Sequence, residues 1–255
     1  MAAGRGRRIT ILLVVLLVLV GGLLVAADRV AAYAAERTVA REAKQELASQ
    51  QISEAQDPIV HVYGVPFLTQ VARGRYQKIT IDVVRPSAQG VTLDDLFVVA
   101  TGINASTGAL LHGTGEITAD TVTGTARLNW DSATKLIDLS QYGGTGATVS
   151  ALPDGQVQIK APVSIGSVSA TLIATGTIEI VDASAKVHVN KVDVAGGGVP
   201  PAVAQVLGGI TRQLSFTVKI PPLPYHLKVT SVQARPEGVT ITAFATGVPI
   251  SGQGA

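Results

Sequence analysis

Hydrophobic and polar positions change their period along this chain, and each change marks an element. From Ile9 to Ala27 the run "ITILLVVLLVLVGGLLVAA" has no charge and no polar face, and Arg5, Arg7 and Arg8 precede it. Its length lies between a long signal-peptide core and a short membrane span of about 20 residues. The arginines favour a cytoplasmic N-terminus with the remainder outside. Ala-x-Ala positions near Ala32 to Ala34 lie beyond Asp28 and Arg29, inside a helical pattern, which favours a retained anchor over a cleaved signal. Residues 1–27 are therefore expected to be a membrane anchor or signal peptide. Residues 28–250 are expected to form a single extracytoplasmic domain, anchored or exported.

The next stretch, "DRVAAYAAERTVAREAKQELASQQ" (28–51), is rich in Ala, Glu, Lys, Arg and Gln and predicts a helix, with Asp28 as its cap. Val30, Tyr33, Ala34, Ala40, Ala43 and Leu47 are expected to share a shallow apolar face, and Arg29, Glu36, Arg37, Lys44 and Glu46 to avoid it. Such an alanine-rich face lets a helix lie close on a sheet.

After Pro58 the period drops to two. Ile79, Ile81 and Val83 alternate with Lys78, Thr80 and Asp82, and similar alternation runs through Val157 to Ile180. "PDG" at 153–155 marks a hairpin turn. Between Val189 and Val192 the phase slips, which predicts a bulge at Asn190-Lys191. "NWDSATKL" reads as a strand end and a helical turn or two capped by Asp131. Pro200 and Pro201, followed by Val203, Val206, Leu207, Ile210 and Leu214, predict a second, shorter helix. The prolines of "IPPLPYHL" (220–227) suit an edge or a crossing between strands. The sum is an α+β fold dominated by antiparallel strands.

Composition narrows the function. The chain is 47% hydrophobic, 15% charged and only 4% aromatic, with Val, Ile, Leu and Ala supplying the apolar mass. A net charge of +2 gives no broad basic field, so nucleic acid is not an expected partner. With no cysteine there is no thiol nucleophile, disulfide or Cys-based metal site. His61, His112, His188 and His226 are scattered. His112 and Glu116 share a Gly-rich turn rather than a helix face, and Asp94-Asp95 would face opposite ways in a strand. No phosphate loop or nucleophile elbow appears. Neither an enzyme nor a cofactor or metal is expected.

The most informative stretch is "HVYGVPFLTQVARGRYQKITIDV" (61–83). It reads as a corner between two strands, permitted by Gly64 and fixed by Pro66. Phe67 and Leu68 are expected to face inward or close one end of an apolar chamber, with Tyr63, Val65, Val71, Ile79 and Ile81 lining it. Arg73, Arg75 and Lys78 are the head-group candidates, the two arginines sharing one face if the strand begins there. The alternative is a plain hydrophobic corner beside an ordinary solvated basic turn.

That stretch resembles the Gly-Phe-Pro-Phe-Leu-Thr-Gln segment of the LmeA-like family of actinobacterial phospholipid-binding envelope proteins, with Val65 where the family usually has Phe. "DRVAAYAAERTVA", "GTGEIT…VTGTARLNW" and "PPLPYHLKVTSVQARPEGVTITAFATGV" extend the resemblance from about Asp28 to Val248. It implies half of a tubular lipid-binding (TULIP, BPI-like) module: a long helix laid in a strongly curved antiparallel sheet, leaving an apolar channel. It also implies a phospholipid ligand, contact with the plasma membrane and support of lipomannan elongation. The rival from another class is a scaffold with a dry core that stabilises an envelope glycosyltransferase.

Overall fold

The computed structural model describes residues 3–54, 56–88, 90–105, 116–136, 146–165, 168–181, 184–195, 215–219 and 223–250. One continuous helix, α1 (Ala3–Ser49), carries both the apolar run and the Ala-rich segment. Two short α-helices follow, α2 (Phe67–Arg73) and α3 (Trp130–Leu136), and a 3-10 turn lies at Pro224–His226. The remainder is strand: β1 (Ile59–Tyr63), β2 (Arg75–Val84), β3 (Ser87–Ala88), β4 (Val91–Thr92), β5 (Asp95–Ala105), β6 (Ile117–Leu128), β7 (Thr148–Ala151), β8 (Val157–Ile165), β9 (Val168–Val181), β10 (Ser184–Val194), β11 (Ser215–Lys219), β12 (Lys228–Arg235) and β13 (Gly238–Pro249). The expected β-dominated α+β fold, a long N-terminal helix with an open, curved antiparallel sheet, is the fold observed.

Six strands form the first sheet, in the order β1-β2-β5-β6-β13-β12; five form the second, β11-β10-β9-β8-β7. The chain passes from the edge of the second sheet to the edge of the first between β11 and β12, the crossing its prolines announced. The sheets meet where β12 packs on β9 and β7, and Ala234 joins the core of Val149, Val157, Ile159, Ala174 and Val187. The anticipated bulge is present, because the β9–β10 register shifts between Val189 and Lys191. The "PDG" turn joins β7 to β8.

Four expectations are corrected. Asp28 does not begin a helix, because α1 runs straight through it. Ala40, Ala43 and Leu47 are half-buried as expected, but in the turns just after Asp28 the buried side of α1 is rotated from the expected one. Ala32 is buried and Ala31 and Ala35 pack beside it, while Val30 and Tyr33 are exposed. Glu36 faces the sheet, its Oε1 accepting the Val62 N–H of edge strand β1 at 2.9 Å. A carboxylate supplies there what a further strand would have supplied. At α3 the cap is Asn129, whose Oδ1 accepts the Ser132 N–H at 2.9 Å, not Asp131. Finally, the segment after Pro66 is a helix, not a strand. The helix expected after Pro200 lies outside the described residues.

Candidate functional site

The Gly-Val-Pro-Phe-Leu-Thr-Gln corner is built around one glutamine. Gln70 is buried; its Nε2 donates to the Tyr63 carbonyl at 3.2 Å and its Oε1 accepts the Gln77 N–H at 2.9 Å. It thereby ties the end of β1 to the start of β2. Gly64, at φ +110°, leaves the room: a Cβ there would come within 2.5 Å of the Gln70 amide. Pro66 fixes the entry to α2, and Gly74, left-handed at φ +62°, ends it.

No side chain within α2 caps its N-terminus; α1 does. The Asp28 carboxylate, 4% exposed, accepts the Leu68 N–H at 2.8 Å and pairs with Arg29 at 2.5 Å. The Arg29 hydrogen bond first, then the Leu68 and Phe67 amides, hold its carboxyl below the usual range against an opposing cost of burial. An anion at a helix N-terminus also meets the positive end of the helix dipole. The lone acid that closes the apolar run thus fastens α2 to α1.

Beyond α2 lies the aliphatic face of the first sheet. In-register rows cross it: Val62, Ile79, Ala100, Val122 and Ala245, then Val60, Ile81, Val98, Gly124 and Ala243. A third row, Tyr76, Ile103, Ala119 and Val248, belongs to the same core cluster. Residues three apart on a regular strand face opposite sides, so a reversal must lie between the rows. It lies at Gln77, Gly102, Asp120 and Gly247, which the ladders skip before resuming the same register. Gly102 and Gly247 have φ of +60° and +59° there. Left-handed residues invert the pleat, a conformation that glycine alone adopts without cost. The sheet keeps one apolar side by switching parity across this line.

That face is closed at both ends and only half-covered between. Phe67, Ala32 and Tyr76 bury one end; Leu128, Ala133 and Val239 bury the other. In the middle Ile81, Leu96, Val98 and Ala126 are half-buried, while Val60, Val83 and Ala243 beside them are buried. Gly124 is itself buried, yet a Cβ there would meet no atom within 4 Å, so there is local room for a side chain over this point of the sheet. Tyr76 ends in a buried hydroxyl without a hydrogen-bond partner, and burial raises its pKa.

The structure divides the expected lining residues in two. Phe67 is buried against Tyr76 with ring centroids 6.1 Å apart, Val71 and Ile79 pack on that cluster, and Ile81 follows Ile79 on the same face. Tyr63, Val65 and Leu68 are exposed instead, Val65 by 75%. The basic candidates also part company. Arg73 ends a helix and Arg75 starts a strand, so the shared strand face expected for them does not exist. Arg75 approaches Asp120 at 3.4 Å, and Lys78 lies over the Tyr63 ring at 3.8 Å. Asp28, Gln70, Tyr76 and Gly124 were not singled out as site residues from the sequence. Of these only Gln70 carried a signal, as the last residue of the corner motif.

The opposite face is polar. A depression of about 540 Å³ there is lined by Asp82, Asp95, Phe97, Thr125, Arg127, Arg235, Glu237 and Thr240. Arg127 holds Asp95 by two bonds of 2.6 and 2.8 Å and Arg235 donates to Gln233 at 2.7 Å, while the buried Oδ1 of Asp82 has no hydrogen-bond partner. Such a lining suits water rather than hydrocarbon. Among the described residues no three His, Asp or Glu side chains cluster as metal ligands.

The sequence model of the LmeA-like phospholipid-binding family matches residues 26–244. Comparisons with curated proteins and with solved structures give no match.

Proposed function

Since the chain belongs to the LmeA-like phospholipid-binding family, we propose that it is a non-enzymatic phospholipid carrier, held on the outer side of the plasma membrane by the apolar half of α1. Residues 28–250 act as one lipid-binding domain. The acyl chains lie along the aliphatic face of the first sheet, against Phe67, Val71, Ile79 and Ile81, with Tyr63, Val65 and Leu68 at the entrance. Arg73, Arg75 and Lys78 stand nearest the head group. The observation that carries this reading is the half-buried stripe of Ile81, Leu96, Val98 and Ala126, with room for a side chain over the buried Gly124. Apolar surface left uncovered by the chain is stabilised by whatever covers it. Each methylene taken from water contributes about 0.8 kcal/mol, so ten contribute roughly 8 kcal/mol with no polar motif at all.

The uncharged stretch of α1 matches a bilayer core in length. From Ile9 to Ala27 it measures roughly 28 Å at 1.5 Å per residue, against a hydrocarbon thickness of about 30 Å. Delivery of phospholipid to lipomannan synthesis is the envelope role we assign to the carrier. Purified full-length protein, extracted with organic solvent and analysed by mass spectrometry, tests the core of the reading. Stoichiometric phospholipid is expected. Protein that folds normally and carries no lipid after exposure to phospholipid vesicles would favour the dry scaffold. Recovery from culture medium of chains lacking residues 1–27 would replace the anchor by a cleaved signal.

A further inference from the structure

We propose that α2 and the adjoining turn of α1 form a docking surface that sits in the head-group layer of the bilayer and opens the lipid seat directly onto it. This rests on the anchor reading above. Three observations lead to it. First, α1 is continuous from Ala3 to Ser49, so the span and the domain are one rigid rod at their junction. Asp28 follows the last residue of the uncharged run. With that run across the hydrocarbon, Asp28 stands at the level of the head groups, a layer of about 5–7 Å on each side.

Second, the Asp28 carboxylate is bonded to the Leu68 N–H at 2.8 Å. The start of α2 is therefore held at the same depth as Asp28. The corner motif is fastened to the one point of the domain whose distance from the bilayer is fixed by the chain itself.

Third, the residues around that point are apolar and unprotected. Val30, Tyr33, Val65 and Leu68 are all exposed. Val30 and Tyr33 lie two and five residues past Asp28, about 3 and 8 Å along the helix. The two tyrosines nearby have cationic partners: Arg37 lies 4.5 Å over the Tyr33 ring and Lys78 lies 3.8 Å over the Tyr63 ring. Tyrosine and long basic side chains are the residue types that settle at a membrane–water boundary, ring inward and charge outward. An exposed valine and leucine beside them gain from the same layer. The occupant of this surface is thus the bilayer that holds α1, and lipid enters past α2 without crossing water.

The chain has no cysteine, so single reporters can be placed cleanly. Full-length Val65→Cys and Leu68→Cys, each labelled with a polarity-sensitive dye, are reconstituted into phosphatidylcholine–phosphatidylglycerol vesicles. Asp154→Cys, on the exposed turn between β7 and β8, is the control. Blue-shifted emission at 65 and 68, quenched severalfold by lipids carrying a head-group-level quencher, with water-like emission at 154, is the expected result. Water-like emission at 65 and 68 overturns the proposal, as does equal burial of all three dyes. Val65→Asp provides the functional arm: a solvent-exposed change that leaves the fold intact should slow uptake of phospholipid from vesicles severalfold. An unchanged uptake rate overturns the proposal. Bound lipid per molecule is measured alongside. If the unlabelled protein carries none, the carrier reading has failed; if lipid is bound but position 65 stays in water, only the docking surface has.

Discussion

Gly124 offers the sharpest test of where lipid lies, because one substitution should move stability and binding in opposite directions. It sits mid-strand on β6, in register with Val98 on β5 and Ala243 on β13. Its φ is not left-handed, and a Cβ would meet nothing within 4 Å. Valine therefore fits the backbone. A strand glycine costs about 0.5–1 kcal/mol against alanine, and a β-branched residue paired across the strands adds about 0.2–1 kcal/mol. Lipid-free Gly124→Val should thus be more stable by about 1–2 kcal/mol, or roughly 2–8 °C in Tm for a domain of this size. Binding should suffer. The new side chain places three methyl-sized groups over the centre of the apolar face. Displacing three methylenes of an acyl chain, at about 0.8 kcal/mol each, loses about 2.4 kcal/mol, or roughly 50-fold in affinity. Displacement of a fluorescent fatty-acyl probe measures the second quantity, and calorimetry of delipidated protein measures the first. A variant that melts lower would mean that the space over Gly124 is filled. One that melts higher but binds as tightly would put the lipid elsewhere.

Four further outcomes follow from the same geometry. Tyr76→Phe removes a buried hydroxyl that has no protein partner, so delipidated protein should melt no lower than the parent; weakened phospholipid binding in that variant would mark the hydroxyl as a donor to lipid oxygen, and a clear loss of stability would show that it is already bonded. Gln70→Leu strips the Tyr63 carbonyl and the Gln77 amide of their partner and should cost about 2–4 kcal/mol in denaturant unfolding; an unchanged midpoint rules out the clamp. Asp28 has a lowered pKa, so its contribution is complete above the unfolded value of about 3.9 and fades as pH falls through the lower folded value; the protection of the Leu68 amide, its exchange rate relative to that of the unfolded chain at the same pH, should fall in that acid window and stay constant between pH 5 and 7. The double change Arg73→Gln, Arg75→Gln should weaken binding to anionic vesicles more than to zwitterionic ones, with the gap closing in high salt; equal weakening of both lipid classes removes the arginines from the head-group site.

The strands were legible because one face of each is buried. Alternation of Val157 and Ile159, or of Val239, Ile241 and Ala243, records that burial directly. The β10 bulge was legible for the same reason, since a phase slip is a change in the very signal being read. Helix α2 was not. "FLTQVAR" is only seven residues long, too short to show a helical period, and strand-like patterns flank it. Its stability comes from outside itself, from the Asp28 carboxylate at its start and Gly74 at its end. The side of α1 that faces the protein just after Asp28 was not legible for a related reason. Alanines surround the helix, so periodicity marks no side, and it is Asp28 and Glu36 bonding to backbone amides that fix the rotation. Polar residues, not apolar ones, set the orientation of this helix.

The reversal line across the first sheet carries the same lesson into the site. Gly102 and Gly247 lie far apart in sequence, each in a strand that reads as continuous, and nothing local ties either to Asp120. Only when β5 and β13 flank β6 do the three fall into one row. The switch of parity then lets Tyr76 and Ile79, three residues apart, both serve the apolar side. The lipid seat proposed on this face would need small residues where the strands change parity and aliphatic ones where it must stay dry. It needs no conserved spacing of charged or nucleophilic groups, since hydrocarbon offers none to recognise. Gln70 and Asp28 bond to the backbone of the corner, and so position α2 and the end of β1 without a sequence pattern that marks them.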